Sequence, residues 1–166
     1  MALLFWDGSA LAKRYIAEVG TATVNALFAG VQPHEMATTP WSYAETYSIL
    51  LRKLNSSAID RAMFVTAITV LEAEVVYSPD FGLLSINDAM VFASTAIMNH
   101  HNLNATDAAI LTLLLDFAQT LPGGRSDCVL IAADRRLLRA ADAEGFPIVD
   151  PEAVPAVDVP ALLARL

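Results

Sequence analysis

The sequence predicts an α/β domain with a short, mostly parallel sheet, on three observations. Leu3-Leu4-Phe5-Trp6 is an apolar run of strand length that stops on Asp7 and turns through Gly8-Ser9 into a helical pattern at Leu11, Tyr15 and Ile16. Further short strand-like runs alternate with helix-length periodic segments along the chain. Glycine and proline mark the hand-overs, at Gly30, Pro40, Pro122-Gly123-Gly124 and Gly145.

Each element has its own signal. Residues 21–29 read as a helix, apolar at Val24, Leu27 and Phe28 and ended by Gly30. Residues 36–39 read as a short strand closed by Pro40. Residues 42–54 place Tyr43, Tyr47, Leu50, Leu51 and Leu54 on one helical side. Ser57 is expected to open a long helix through Ala73, and Val75-Val76-Tyr77 to be a third strand. Pro79-Asp80-Phe81-Gly82 is turn-like. Helices follow over residues 85–98 and 104–119. Residues 128–132 are the clearest strand after the first, then come a helix over 134–143 and a short strand at 147–149. The tail, 151–166, carries Pro151, Pro155 and Pro160 and reads as loop with a closing helical turn at 161–165, packed on or trailing from a single domain of residues 1–150.

A length of 166 residues suits one domain with a sizeable core, and 55% apolar against 17% charged residues excludes disorder. Such apolar content in a short chain also suggests a surface buried by a partner, and the apolar helices suggest a dimer. The one cysteine, Cys128, excludes a disulfide framework, reads as core and suggests a cytoplasmic protein. The N-terminal apolar run is too short for a signal peptide, and the apolar helix around residues 108–118, cut by Asp116, is too short to span a membrane. A net charge of −8 argues against general adhesion to nucleic acid. The basic residues nonetheless cluster after strand ends and helix starts, Lys13, Arg14, Arg52, Lys53, Arg135, Arg136 and Arg139 among them. They are either solvated helix faces or the flanks of a common mouth.

In a parallel sheet, ligands gather beyond the carboxyl ends of the strands. Asp7 and Asp134 each end a strand, Glu45 lies shortly after another, and Asp107 falls in the first turn of a helix starting at Asn104. Each admits a capping role. Ser42-x-x-Glu45 and Asn104-x-x-Asp107 have capping-box spacing, as do Ser57-x-x-Asp60 and Ser85-x-x-Asp88, and Asp134 suits an N-cap. Convergence is the other reading. Carboxylates crowded at one edge repel one another and need a cation, and hard oxygen ligands suit Mg²⁺ or Mn²⁺.

Other chemistries fit poorly. Ser9 stands where a haloacid-dehalogenase-like phosphatase has its second Asp. Gly123-Gly124-Arg125 lacks the Lys-Ser/Thr of a phosphate loop, and no G-x-S-x-G occurs. His100-His101 has no cysteine or spaced histidine beside it, His34 reads as loop, and Asp127 precedes its strand at the amino end and reads as solvated. Trp6, Trp41, Tyr43 and Tyr47 are expected in the core rather than as base-stacking platforms.

Four pieces, in this order and spacing, resemble the PIN-domain family, including the VapC-type toxin ribonucleases of toxin–antitoxin pairs. They are Asp7-Gly8-Ser9-Ala10-Leu11-Ala12-Lys13, Ala44-Glu45, Ala105-Thr106-Asp107-Ala108-Ala109, and Ile131-Ala132-Ala133-Asp134-Arg135-Arg136-Leu137-Leu138. The resemblance covers residues 1 to about 150 and implies a three-layer sandwich of about five strands, the first central. It implies that Asp7, Glu45, Asp107 and Asp134 are catalytic metal-site carboxylates for Mg²⁺ or Mn²⁺, with Ser9 supporting Asp7 or a water. It further implies single-stranded RNA as substrate, a small antitoxin as partner and a homodimer. Lys13, Arg14, Arg52, Arg135 and Arg136 would then hold the RNA backbone. Two positions depart from the family pattern: Gly8 and Ala132 stand where hydroxyl residues are usual. Both thin the hydrogen bonding expected around the metal, and they keep open a PIN-like module that binds a protein or RNA without cutting it. An unrelated α/β domain whose acids are only caps is the third reading.

Overall fold

A computed structural model of the chain describes residues 2–166. Leu3–Trp6 form strand β1, whose alternate side chains enter two different cores. A strand buried on both faces belongs at the centre of a sheet, and β1 lies there. It pairs in parallel with β2 (Met36–Thr38) on one side and β4 (Cys128–Ile131) on the other. The outer strands, β3 (Gly82–Leu83) and β5 (Ile148–Val149), complete an all-parallel sheet in the order β3-β2-β1-β4-β5.

Two helical layers cover the sheet. On one face Leu4, Trp6, Val129 and Ile131 meet α1 (Gly8–Leu11), α2 (Thr21–Gly30), α3 (Pro40–Asn55) and α4 (Arg61–Leu71). On the other, Phe5, Ala37, Cys128 and Leu130 meet α6 (Ala105–Ala118) and α7 (Arg135–Ala143), with α5 (Asp88–His101) packed outside α6. The tail ends in α8 (Val159–Leu163), which lies against α2, with Val159 buried in the first core. The result is the expected α/β sandwich, and Cys128 is buried in it as expected.

The third strand is corrected. Residues 75–77 do not form a strand. The chain continues from α4 through a wider helical turn, Glu72–Val76. Val75 falls four residues after Leu71, so both stay on one helical face and are fully buried in one core. The sheet position is taken by the turn-like segment at Gly82. A Cβ there would sit 3.0 Å from that of Ala37, so the bare backbone admits close strand approach. Helix starts shift as well. Thr39, Asp60 and Asn87, not Ser42, Ser57 and Ser85, accept the capping N–H bonds of α3, α4 and α5.

Candidate metal centre

The ends of the central strands set the site. Thr38 Oγ1 donates to the Trp6 carbonyl at 2.6 Å, tying the end of β2 to the end of β1. The Asp7 N–H continues the β1–β4 ladder to the Ile131 carbonyl at 3.0 Å. Asp7 is therefore fixed where β1 hands over to α1, and it is only 2% exposed. Its Oδ2 caps α1 by accepting the Ser9 N–H at 3.0 Å, and it also accepts the Ser9 hydroxyl. Ser9 Oγ in turn accepts the Ala133 N–H at 2.9 Å, one residue before Asp134. One serine thus joins two of the four acidic segments. The other oxygen of Asp7, Oδ1, is buried with no partner among the described residues. Burial pushes the Asp7 carboxyl up, against the pull of the Ser9 donors, and the nearby Asp134 charge adds to the rise.

Glu45 comes from α3. Because Thr39 is the cap of that helix, the capping-box role open to Glu45 is not used. Its Oε2 is buried and unpartnered. Burial, then the charges of Asp7, Asp107 and Asp134, push Glu45 up to about 7, with Arg52 opposing. Gly8 explains how the carboxylate comes so near: a Cβ at Gly8 would lie 2.7 Å from Glu45 Oε2 and 2.9 Å from the Ser42 carbonyl. A hydroxyl residue at this position has no room. The departure is a packing requirement between α1 and α3.

Asp107 is buried in the first turn of α6, 6% exposed. Its N–H is capped by Asn104 Oδ1 at 2.9 Å, and its Oδ2 accepts from Asn104 Nδ2 at 2.8 Å. Burial and the charges of Asp7 and Asp134 raise it to about 6, with Arg136 and Asn104 opposing. Asp134 is the half-buried N-cap of α7, and its Oδ1 accepts the Arg136 and Leu137 N–H groups at 2.7 and 3.2 Å. The four acids are thus within mutual electrostatic reach, drawn from four segments separated along the chain. Capping and convergence turn out to be compatible, since Asp7 and Asp134 do both. No three of the four have their ligand oxygens within 4.8 Å of one another. Glu45 and Asp107 share a cleft of about 560 Å³ with Trp41, Ala44 and Asn104. Two buried carboxylate oxygens without donors fit a hard divalent cation such as Mg²⁺ or Mn²⁺.

The basic residues divide. Lys13 is buried, its Nζ 3.2 Å from Glu18 and 2.7 Å from Glu152. Arg14 bonds Glu74 and Asn25, both at 2.7 Å, and lies over the Phe28 ring. Both are engaged in ion pairs, Lys13 buried and Arg14 half-buried. Arg52, Arg135 and Arg136 are exposed, and Arg52 and Arg136 are the cations that act on Glu45 and Asp107.

Other placements differ from what the sequence led us to expect. Trp41, expected in the core, is 58% exposed, while Trp6 is fully buried. Its spacing four residues before Glu45 was the available signal. His100 and His101, read as having no cysteine or spaced histidine beside them, meet a carboxylate instead, Glu144 after α7, with all three ligand atoms within 4.8 Å and His101 Nε2 2.8 Å from Glu144 Oε1. An imidazole–carboxylate set of this kind suits Zn²⁺ better than Mg²⁺, although Arg125 already engages the same carboxylate at 3.7 Å. Asp127, expected to be solvated, accepts the Gly123 N–H at 2.6 Å and holds the turn before β4.

No protein-family model matches the chain, and no curated protein matches it. Solved structures do. VapC20 of Mycobacterium tuberculosis, described as a sarcin–ricin-loop-cleaving toxin, superposes with a TM-score of 0.63 at 16% identity, over 92% of this chain and 99% of that one. The protein PAE2754 of Pyrobaculum aerophilum superposes with a TM-score of 0.60 at 18% identity, over 99% of this chain and 94% of that one. At such identities the likeness is one of fold: the chain has a PIN-like fold.

Proposed function

We propose that the chain is a divalent-metal-dependent endoribonuclease acting on single-stranded RNA, the toxin of a toxin–antitoxin pair. The observation that carries this reading is the pair of buried, donorless carboxylate oxygens of Asp7 and Glu45 at the carboxyl edge of a PIN-like sheet. Asp7 Oδ1 and Glu45 Oε2 have no donor among the described residues, so their burial favours a cation.

Asp7, Glu45, Asp107 and Asp134 would hold Mg²⁺ or Mn²⁺. Such an ion acidifies a water and offsets charge on the scissile phosphate. Ser9 orients Asp7 through its two donated bonds, and Asn104 orients Asp107. Arg52, Arg135 and Arg136 are the exposed cations available to the RNA backbone, a positioning role without sequence information. No side chain is needed as covalent nucleophile. The acidic surface fits a protein that a small antitoxin covers, in a cytoplasmic homodimer.

Two measurements test this. Mn²⁺ should raise the melting temperature, and Asp7→Asn should abolish the rise. Wild type with Mn²⁺, stripped of any bound partner, should cut single-stranded RNA, and Asp107→Asn should not. A metal shift without cleavage would favour the binding module instead, a reading that Ala132 supports because it supplies no hydroxyl near Asp134. No metal shift at all would leave the acids as caps.

A further inference from the structure

Trp41 lies in the first turn of α3, four residues before Glu45, so the ring and the carboxylate stand on the same side of the helix. The ring lines the acid cleft together with Glu45 and Asp107. It also lines an adjoining recess of about 130 Å³ formed with Ile86, Val91, Ala105, Thr106 and Ala109. No charged side chain lines that recess. A large aromatic left 58% exposed between an acidic cleft and an apolar hollow offers a flat face to whatever enters.

We propose that Trp41 and this recess form a base-stacking subsite, seating a nucleobase of the RNA strand whose phosphate lies at the carboxylates. The proposal rests on the nuclease reading and adds how the strand is held. The occupant follows from three things. The recess opens beside the site proposed for a phosphate, so a nucleotide bound there carries its base to it. The hollow takes one flat, uncharged group rather than a folded element. A net charge of −8 leaves overall electrostatics weak for RNA, whereas stacking does not depend on charge. Small side chains at Ala105 and Ala109 keep the floor open, and the arrangement implies tolerance of base identity, since every base presents a π-face.

With Trp6 fully buried, Trp41 dominates quenching by added ligands. In the Asp107→Asn protein with Mn²⁺, a hexauridylate titration should quench tryptophan fluorescence saturably, and an abasic oligomer of equal length should not. In the otherwise wild-type protein, Trp41→Ala should raise KM for RNA about tenfold or more, Trp41→Phe should restore most of the loss, and both should keep the Mn²⁺ melting shift. Cleavage with an unchanged KM in Trp41→Ala, or equal binding of the abasic strand, overturns the subsite and leaves the nuclease reading standing. Loss of self-association in Trp41→Ala with no RNA quenching assigns the recess to a second copy of the chain and also overturns it. Absence of both metal shift and cleavage in wild type removes the nuclease reading and the subsite with it.

Discussion

Two groups of acidic side chains in this molecule behave in opposite ways. Glu18 lies between Lys13 and Lys53, its oxygens 3.2 and 2.6 Å from their ammonium groups. Burial alone would raise it, but the bonds from Lys53 and Lys13 outweigh burial and hold it below the usual carboxylate range. Glu45 is the same residue type, and burial pushes it up to about 7, with the charges of Asp7, Asp107 and Asp134 adding to the rise where Glu18 has lysines to reverse it. Acids that hold the fold together come with their cations built in. Those at the strand ends are left short of positive charge, which is what the proposed metal site would use.

The largest effect should come from breaking the second group. Asp7→Asn keeps a capping oxygen for Ser9 but removes the charge. With metal present it should lower RNA cleavage by at least about 10²-fold, since even groups behind metal ligands cost 10- to 100-fold. Its metal-free melting temperature should be equal to wild type or higher, because a buried carboxylate with one unpartnered oxygen is a burden to the fold. A marked drop in metal-free stability would place Asp7 with the structural acids. Ser9→Ala removes only the hydroxyl that links Asp7 to Ala133, and should weaken apparent Mn²⁺ affinity by about 10- to 100-fold while RNA-free structure persists.

Breaking the first group should do the reverse. Glu18→Gln leaves Lys13, whose side chain is 6% exposed, with Glu152 alone. Loss of about 1–3 kcal/mol in urea denaturation is expected, with the Mn²⁺ shift unchanged. Gly8→Ala tests the packing between the two helices that bring Glu45 in. Overpacking against Glu45 and the Ser42 carbonyl should cost about 1–3 kcal/mol and weaken metal binding in the same variant.

The contrast also explains what could be read from the chain alone. The strand ends at Asp7 and Asp134 were legible because an apolar run stopping on an acid is a local pattern. The helices over 134–143 and 104–119 were legible for the same reason, with Asp134 and Asn104 as their caps. Partnership was not legible. That Lys13 meets Glu152, or that His101 meets Glu144, depends on segments 139 and 43 residues apart coming together. Nor could spacing distinguish Ser42 from Thr39 as the cap of α3, although that choice decides whether Glu45 is a capping group or a free carboxylate. The segment 75–77 misled because a β-branched run reads as strand when the helix before it is not known to continue.

The smallest effect is the shape of stability against pH in the metal-free protein, and it separates the two groups in one experiment. Glu45 at about 7 and Asp107 at about 6 both lie above their unfolded values of 4.5 and 3.8. The folded chain therefore keeps protons that the unfolded chain has released. Their contribution is fully present below the unfolded pKa and is lost as pH rises through the folded one. Glu18 has the opposite sign: its folded pKa is lowered, so its contribution is present above the unfolded value and lost as pH falls. Urea midpoints should thus fall by the equivalent of about 1–2 kcal/mol between pH 5.5 and pH 8, after discounting for solvent screening. Glu45→Gln should flatten that limb, and Glu18→Gln should leave it in place. Mn²⁺ should restore the lost stability at pH 8 and do little at pH 5.5, where protons compete for the same oxygens. A metal effect equally large at both values would point away from these carboxylates, since ligands that must lose a proton bind metal more weakly in acid.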